Sequence, residues 1–325
     1  MTQDLVVRNY RPEDLKVLVK LINDADAIDG LERATSVETL EHEMNWPNYD
    51  ADRDCFLAWS NGRLVGYGEF FLRNAKGQGD SVFYTSGLVH PHWRRQGIGR
   101  CLLETLYQRA SERLGEVKGG PVYFQGNGRD TEADRRALFE GYGMERVRYY
   151  VDMARAINNG LPPVEVPSGF RLRPFDPAKD VERAWQVDVQ AFRDHWGTAE
   201  FPLDEFRHFV EQPHFRPGLS LLAEDEATGE VVGIAFNKID PDWIAQTGRQ
   251  EGYVNTLAVL REYRQRGLGT ALLAQTLHCL RQAGMESVYL GADAENLTGA
   301  VRIYERLGFR VRKTTVAYRK PMDGD

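Results

Sequence analysis

The chain has 325 residues, which at roughly 150 residues per domain points to two cores. With 42% hydrophobic and 27% charged residues it has the makeup of an ordinary folding sequence, and disorder over any large fraction of it is excluded. A formal net charge of −7 weighs against nonspecific nucleic-acid binding and leaves a neutral or cationic partner open.

The elements follow an order that occurs twice. An Arg-bearing strand around Val7 and Arg8, then Pro12 and acidic residues suited to a helix start, returns 165 residues later at Leu172, Arg173 and Pro174. A hairpin signal follows, Phe56 to Ala58, Asn61-Gly62, Leu64 to Gly66; it reappears as Leu221 to Ala223, Thr228-Gly229, Val231 to Gly233, with a longer loop. Next, Gly87 to Gly99 matches Leu257 to Gly269, with Val89 aligned on Val259 at a shift of 170. Finally Phe139 to Met144 matches Tyr304 to Phe309 at a shift of 165.

Each half therefore reads as strand, helices, hairpin, strand, Gly turn, helix, strand, helix, strand: an α/β chain with its elements in mixed order. Asn158 to Pro163, followed by Pro167 and Gly169, can carry neither helix nor central strand, so a linker is expected over 158–168 between domains at 1–157 and 169–325. After each Gly turn, Leu102, Leu103, Leu106 and Ala110, and likewise Leu273, Leu277 and Leu280, fall on one helix face and are expected in the core.

No run approaches the roughly 18 apolar residues of a membrane-spanning helix. Met1 to Asp14 interleaves charges with short apolar pairs instead of forming a signal sequence, so a cytoplasmic protein without a membrane partner is expected. Cys55, Cys101 and Cys279 are too few and scattered for a disulfide framework or a Cys-rich metal site, and are expected as small buried hydrophobes. His90 and His92 are the closest histidine pair and lack a third ligand at a telling spacing, so no metal is expected.

The two Gly turns carry the strongest chemical signal. A strand ending at Val259 runs through a basic loop into Gly267-Leu268-Gly269-Thr270 and a helix, whose first N–H groups have no internal partner. Glycines at 267 and 269 let an anion reach the backbone, and the helix dipole with Arg264 and Arg266 adds positive potential, a combination suited to a pyrophosphate. Arg94, Gly97 and Gly99 repeat it. A plain tight turn is the bland alternative, which the second copy makes less economical. Gly-Lys-Ser and Gly-Lys-Thr are absent and the third glycine of a dinucleotide fingerprint is missing, so neither a Walker loop nor a dinucleotide fold is supported. Trp93 and Tyr263 beside these loops are expected to pack there, not to stack on nucleic acid.

The strand Leu257-Ala258-Val259, the run Arg264-x-x-Gly267-x-Gly269, and then Asn296, Ala300, Tyr304 and Gly308-Phe309 resemble the GNAT superfamily of acetyl-coenzyme A dependent N-acetyltransferases. The likeness covers both halves, and the closing run Asn296 to Tyr318 is similar to one subgroup of tandem members. The resemblance implies two tandem GNAT folds, each a mixed, mostly antiparallel sheet flanked by helices, whose fourth and fifth strands splay to admit the pantetheine arm of acetyl-CoA.

By carry-over, Leu257, Ala258 and Val259 would bind that arm, and Arg264, Gln265, Arg266, Gly267, Leu268, Gly269 and Thr270 would form the pyrophosphate loop, with Asn296 steadying the cofactor. In the first half the counterparts are Leu88 and Val89, then Arg94, Arg95, Gln96, Gly97, Ile98, Gly99 and Arg100. The acceptor implied is a primary amine of a small molecule or peptide; the oligomeric state is not legible.

Acetyl transfer to an amine needs a neutral amine, a stabilised oxyanion and a proton for the departing thiolate. The family uses a Tyr at the position of Tyr304 as proton donor, although a ring packed on the core would also suit that place. The first half has Phe139 there and Thr131 in place of Asn296, so it is expected to keep a cradle but contribute little chemistry. For the base, Asp194 and His195 stand in the region where family members build the acceptor pocket, with Glu200, Glu251 and Asp293 as alternatives. The tandem subgroup has a catalytic Glu in this region, and that place falls near Gly197. A non-catalytic acyl-CoA sensor or partner-binding protein is the rival reading.

Overall fold

Both copies of the opening motif fold for one electrostatic reason. Arg8 donates to both carboxylate oxygens of Asp14 at 2.7 and 2.7 Å, and Arg173 does the same to Asp180 at 2.5 and 2.7 Å. Asp14 and Asp180 are buried, so each guanidinium neutralises an acid at the entrance of the first long helix and fixes its angle to the strand.

The computed structural model describes residues 4–31, 34–75, 79–158, 160–193, 195–199, 201–295 and 300–322. In chain order the first elements are β1 (Leu5–Asn9), α1 (Leu15–Asp29), α2 (Val37–Met44), α3 (Ala51–Asp54), β2 (Cys55–Ser60), β3 (Arg63–Arg73), β4 (Ser81–Val89), α4 (Ile98–Glu112), β5 (Val122–Arg129), α5 (Ala133–Gly141) and β6 (Glu145–Ala156). The series then repeats as β7 (Phe170–Pro174), α6 (Val181–Ala191), α7 (Leu203–Val210), β8 (Leu221–Asp225), β9 (Val231–Lys238), α8 (Pro241–Thr247), β10 (Glu251–Val259), α9 (Leu268–Gln282), β11 (Ser287–Asp293), α10 (Ala300–Arg306) and β12 (Arg310–Pro321). The expected order of elements is present in both halves. The short hairpin turns through Asn61 and Gly62 at φ 50 and 72°, and the longer one closes with Gly229 at φ 72°.

Two compact units result, and their boundaries differ from the chain order. One comprises Met1–Arg148, Gly197–Glu200 and Thr315–Asp325; the other comprises Tyr149–Trp196 and Phe201–Thr314. In the first unit the strands pair in the order β1-β2-β3-β4-β5-β12, all antiparallel except β4 with β5. In the second the order is β7-β8-β9-β10-β11-β6, all antiparallel except β10 with β11.

Each sheet thus takes its last strand from the other half of the sequence, which a boundary at 158–168 does not anticipate. Side chains specify the exchange. Val316, Tyr318 and Met322 fill the core under α4 and α5, and buried Arg319 donates to Gln125 Oε1 at 2.6 Å and to Asp80 at 2.6 Å. Met153 and Ile157 fill the core under α9 with Leu273, Leu277 and Leu280. The apolar faces expected on α4 and α9 are all buried. Cys55 is buried as expected, whereas Cys101 and Cys279 are partly exposed because they sit at the edge of those faces; all three are free thiols.

Candidate functional site

The parallel strand pair of each unit parts midway. In the first unit β4 and β5 pair from Ser81 opposite Val122 to Thr85 opposite Gly126. Beyond that, Asn127 to Arg129 pair with β12 while Ser86 to Val89 stay with β3, so a wedge opens between them. In the second unit β10 and β11 pair from Glu251 opposite Ser287 to Val254 opposite Leu290. Gly291 to Asp293 then follow β6, while Thr256 to Val259 follow β9 after an irregularity between Val254 and Thr256. This is the splay of fourth and fifth strands implied by the resemblance. The wedge of the first unit leads into a cavity of about 790 Å³, lined from Ser86 to Val89, along Leu102, Leu103 and Leu106 of α4, and by Leu138 and Phe139 of α5.

At the mouth of each wedge lies a Gly turn of matching backbone. Arg95 and Gln265 have φ 62 and 63°, and the helix caps Gly97 and Gly267 have φ 87 and 89°, a left-handed region that glycine enters without steric cost. The first intrahelical bonds are Cys101 N–H to Gly97 O at 3.0 Å and Ala271 N–H to Gly267 O at 2.9 Å. The N–H groups of Ile98, Gly99 and Arg100, and of Leu268, Gly269 and Thr270, precede those bonds and point out of the helix end. Ile98 and Leu268 are buried and anchor the turns, while Gln96, Arg100 and Thr270 are exposed. A Cβ at Gly97 would meet nothing within 4 Å; one at Gly267 would meet Pro167 Cγ at 3.5 Å. The cradles are open at the backbone, as an incoming phosphate requires.

The arginines expected to lend positive potential divide by role. Arg264 donates to Val259 O at 3.0 Å and to Ala191 O at 2.7 Å, and Arg94 donates to Val89 O at 3.0 Å and to Asp29 Oδ1 at 2.8 Å. These two brace their loops, because a guanidinium held by carbonyls or a carboxylate has few donors left for a ligand. Arg100 pairs with Glu104 at 2.8 Å, Arg95 lies 3.6 Å from Asp134, and Arg266 lies over the Tyr263 ring at 5.2 Å. Trp93 and Tyr263 pack against their own units' cores, as expected.

Tyr304 sits on α10, buried with Leu273, Leu277 and Phe309, and burial pushes its phenol up to about 12. It therefore stays protonated at any working pH. The counterpart Phe139 lies under Gly126, where an added Cβ would come within 2.6 Å of its ring, and against Tyr318 at 5.4 Å. His195 packs its ring on Phe192 at 4.6 Å in the turn after α6. Asp194, Asn296 and Glu200 lie outside the described residues. Glu251 is buried and committed to Arg312 at 2.8 Å and Ser287 at 2.9 Å; Asp293 accepts from Glu295 N–H at 3.0 Å. Gly197, at φ 70°, belongs to the first unit and brings no carboxyl.

Two carboxyls escaped the sequence reading. Asp188 is half-buried on α6, in phase with buried Ala184 and Ala191, and desolvation alone pushes it to about 7. An acid in phase with an apolar helix face was the available signal. Glu69 lies on β3, accepting from Tyr49 Oη at 2.8 Å and Ser86 Oγ at 2.8 Å, and burial raises it as well. An acid inside the run Leu64 to Leu72 marked that one. Among the described residues, His214, Asp240 and Asp242 form the one group spaced closely enough to hold a metal, outside both wedges.

Comparison with known proteins agrees with this geometry. The model of the acetyltransferase (GNAT) family matches residues 25–118 and 181–309, one stretch in each half. A mycothiol acetyltransferase from Thermomonospora curvata is 36% identical over 236 residues, covering 72% of this chain and 72% of its own; one from Kytococcus sedentarius is 30% identical over 99% of this chain and 100% of its own. A GCN5-related N-acetyltransferase structure from Sphaerobacter thermophilus superposes with a TM-score of 0.73 at 24% identity, covering 99% of this chain and 97% of its own. A tandem GNAT protein from the clavulanic acid biosynthesis pathway gives 0.70 at 18% over 99% and 100%. No helix among the described residues is long and apolar enough to cross a membrane. A doubled wedge, each with a glycine cradle at its mouth, and family matches in both halves make the conclusion plain: the chain belongs to the acetyltransferase (GNAT) family, as an acyltransferase with two GNAT folds in tandem.

Proposed function

We propose that the chain moves an acetyl group from acetyl-CoA to a primary amine of a small molecule, and that the second unit carries the chemistry. The observation that carries this reading is Tyr304, a protonated phenol on the helix that follows the splayed pair β10–β11, where the first unit has Phe139. The names of the relatives support a small-molecule acceptor. Gly197, near the place where the tandem subgroup has its catalytic Glu, brings no carboxyl that would define the acceptor beyond a primary amine.

The open cradle at Gly267 to Thr270 would hold the pyrophosphate, and the free edge of Leu257 to Val259 would hold the pantetheine, whose thioester supplies the activated acyl carbon. Tyr304 holds the proton that the sulfur needs as it leaves. Asp188, poised near neutral pH, is the carboxyl of this unit suited to taking a proton from the acceptor's ammonium group, so that the neutral amine can attack the acyl carbon. In the first unit the cradle at Arg94 to Arg100 would still bind an acyl-CoA, without a phenol to assist departure.

Release of free thiol from acetyl-CoA, followed against a panel of amines, tests the reading. Acceleration by an amine, lost when Gly267 is replaced by Asp and largely kept when Gly97 is, supports it. Binding of acetyl-CoA without turnover on any amine, or equal losses from both replacements, refutes it.

A further inference from the structure

Glu69 lies between two residues that face α4. A Cβ on Gly68 would come within 2.7 Å of Leu106 Cδ1, and Phe70 packs with Leu103 and Leu106. Strand alternation turns Glu69 to the opposite face, where Tyr49 donates to its Oε2 at 2.8 Å. Its antiparallel partner Ser86 donates to Oε1 at 2.8 Å. Ser86 is also the first residue of β4 beyond the last β4–β5 pair and lines the 790 Å³ cavity. The carboxyl thus stands one hydroxyl from the apex of the wedge, across the sheet from α4.

Its electrostatics are one-sided. Burial raises Glu69, and the groups that pull it back are neutral hydroxyls, Ser86 and Tyr49. Tyr49, from the connection between α2 and α3, and Cys55, from β2, are pushed well up, by burial first and then by the charge of Glu69. Asp54 of the same unit shows the usual remedy: fully buried, it meets Arg109 at 3.0 Å and Arg113 as well. A buried carboxylate ordinarily gains a cation. Glu69 is half-buried, the described residues provide it no cation, and its partner Ser86 lines the cavity. The second unit has Phe236 opposite Thr256 at this register, packed on Phe206 and Phe215, so the polar cluster is peculiar to the first unit.

We propose that the first unit holds a binding site for a primary ammonium group at Glu69, its carboxylate oriented by Ser86 and Tyr49 at the apex of the acyl-CoA wedge. The ammonium brings the missing positive charge, and its N–H groups take the carboxylate lone pairs that the two hydroxyls leave. This goes beyond the reading above, which assigns the phenol-assisted transfer to the second unit, and no turnover is needed to test it.

The full chain, labelled with ¹³C-glutamate, is followed by NMR at the Glu69 carboxyl carbon, assigned by its loss in Glu69→Gln. It is titrated with n-butylammonium chloride, and with tetramethylammonium chloride as a cation that has no N–H to donate. With butylammonium the carboxyl is expected to titrate about one pH unit lower or more, the usual effect of an opposite charge in contact. Tetramethylammonium is expected to leave it in place, and Glu69→Gln to weaken butylammonium binding roughly tenfold or more. A titration that butylammonium does not move, or that both cations move alike, overturns the proposal. Should Glu69→Gln not fold, Tyr49→Phe assigns the resonance by perturbing it, and the wild-type titration decides.

Discussion

Asp188→Asn is expected to make the second unit more stable and the enzyme slower. Asp188 is half-buried on α6, in phase with buried Ala184 and Ala191, and desolvation alone carries its carboxyl from the ordinary 3.8 to about 7. At roughly 1.4 kcal/mol per pH unit, that difference makes about 4 kcal/mol of destabilisation once the group is ionised in both states. The sign follows from proton binding. The folded chain holds this proton more tightly than the unfolded one, so the residue has no adverse effect below about pH 4, erodes stability as pH rises to about 7, and leaves a constant deficit above.

Asn is isosteric and neutral, so the variant should melt about 10 °C higher than wild type at pH 8 and no higher at pH 4. If the carboxylate takes the proton of the amine, wild-type kcat/KM rises through about pH 7. The variant should lose that limb and fall by about 10²-fold or more, whichever amine serves as acceptor. Equal melting gains at both pH values would show that the carboxyl is not raised. An unchanged rate and pH limb would remove it from the chemistry.

Tyr304→Phe should slow turnover by roughly 10² to 10⁴, the usual worth of a positioned acid, with acetyl-CoA binding kept; an unchanged kcat would show the ring to be core packing only. Gly267→Asp places a side chain at φ 89° and a negative charge in the cradle, and should raise the KM for acetyl-CoA more than Gly97→Asp does, in steady-state titrations of each variant. Arg173→Ala removes the bidentate partner of buried Asp180 and one of the cations on buried Glu224, which keeps Arg171 at 2.7 Å while Arg183 stays 3.4 Å from both acids, and should cost about 2 kcal/mol in denaturant titration at pH 7. Arg173 holds Glu224 below the ordinary carboxylate range, so this loss should shrink in acid, as pH falls below that range and the acid protonates.

Periodic and positional signals carried the fold. The apolar faces of α4 and α9, the hairpin at Asn61-Gly62 and the doubled Gly turn depend on local geometry, which a few residues dictate wherever they occur. Tyr304 was singled out through the resemblance of its motif to that of the family, which no periodicity or composition carries. The bracing duties of Arg94 and Arg264 were not legible, because Asp29 and the Ala191 carbonyl approach them only in three dimensions. Glu69 was missed for a similar reason: its partners Tyr49 and Ser86 stand 20 and 17 residues away, and neither is remarkable by itself.

What the sequence determined by itself is a doubled series of elements and two glycine turns at helix starts, because helix faces, turns and caps are set by neighbours within a few residues. Tertiary structure decided which strand closes which sheet and which acids lose their water. β6 and β12 have the same place in the repeat, and only the fit of Met153 or Tyr318 into a core tells them apart. Asp188 and Glu69 become unusual acids only when a helix face or a strand face is covered, since desolvation belongs to the surroundings and not to the residue.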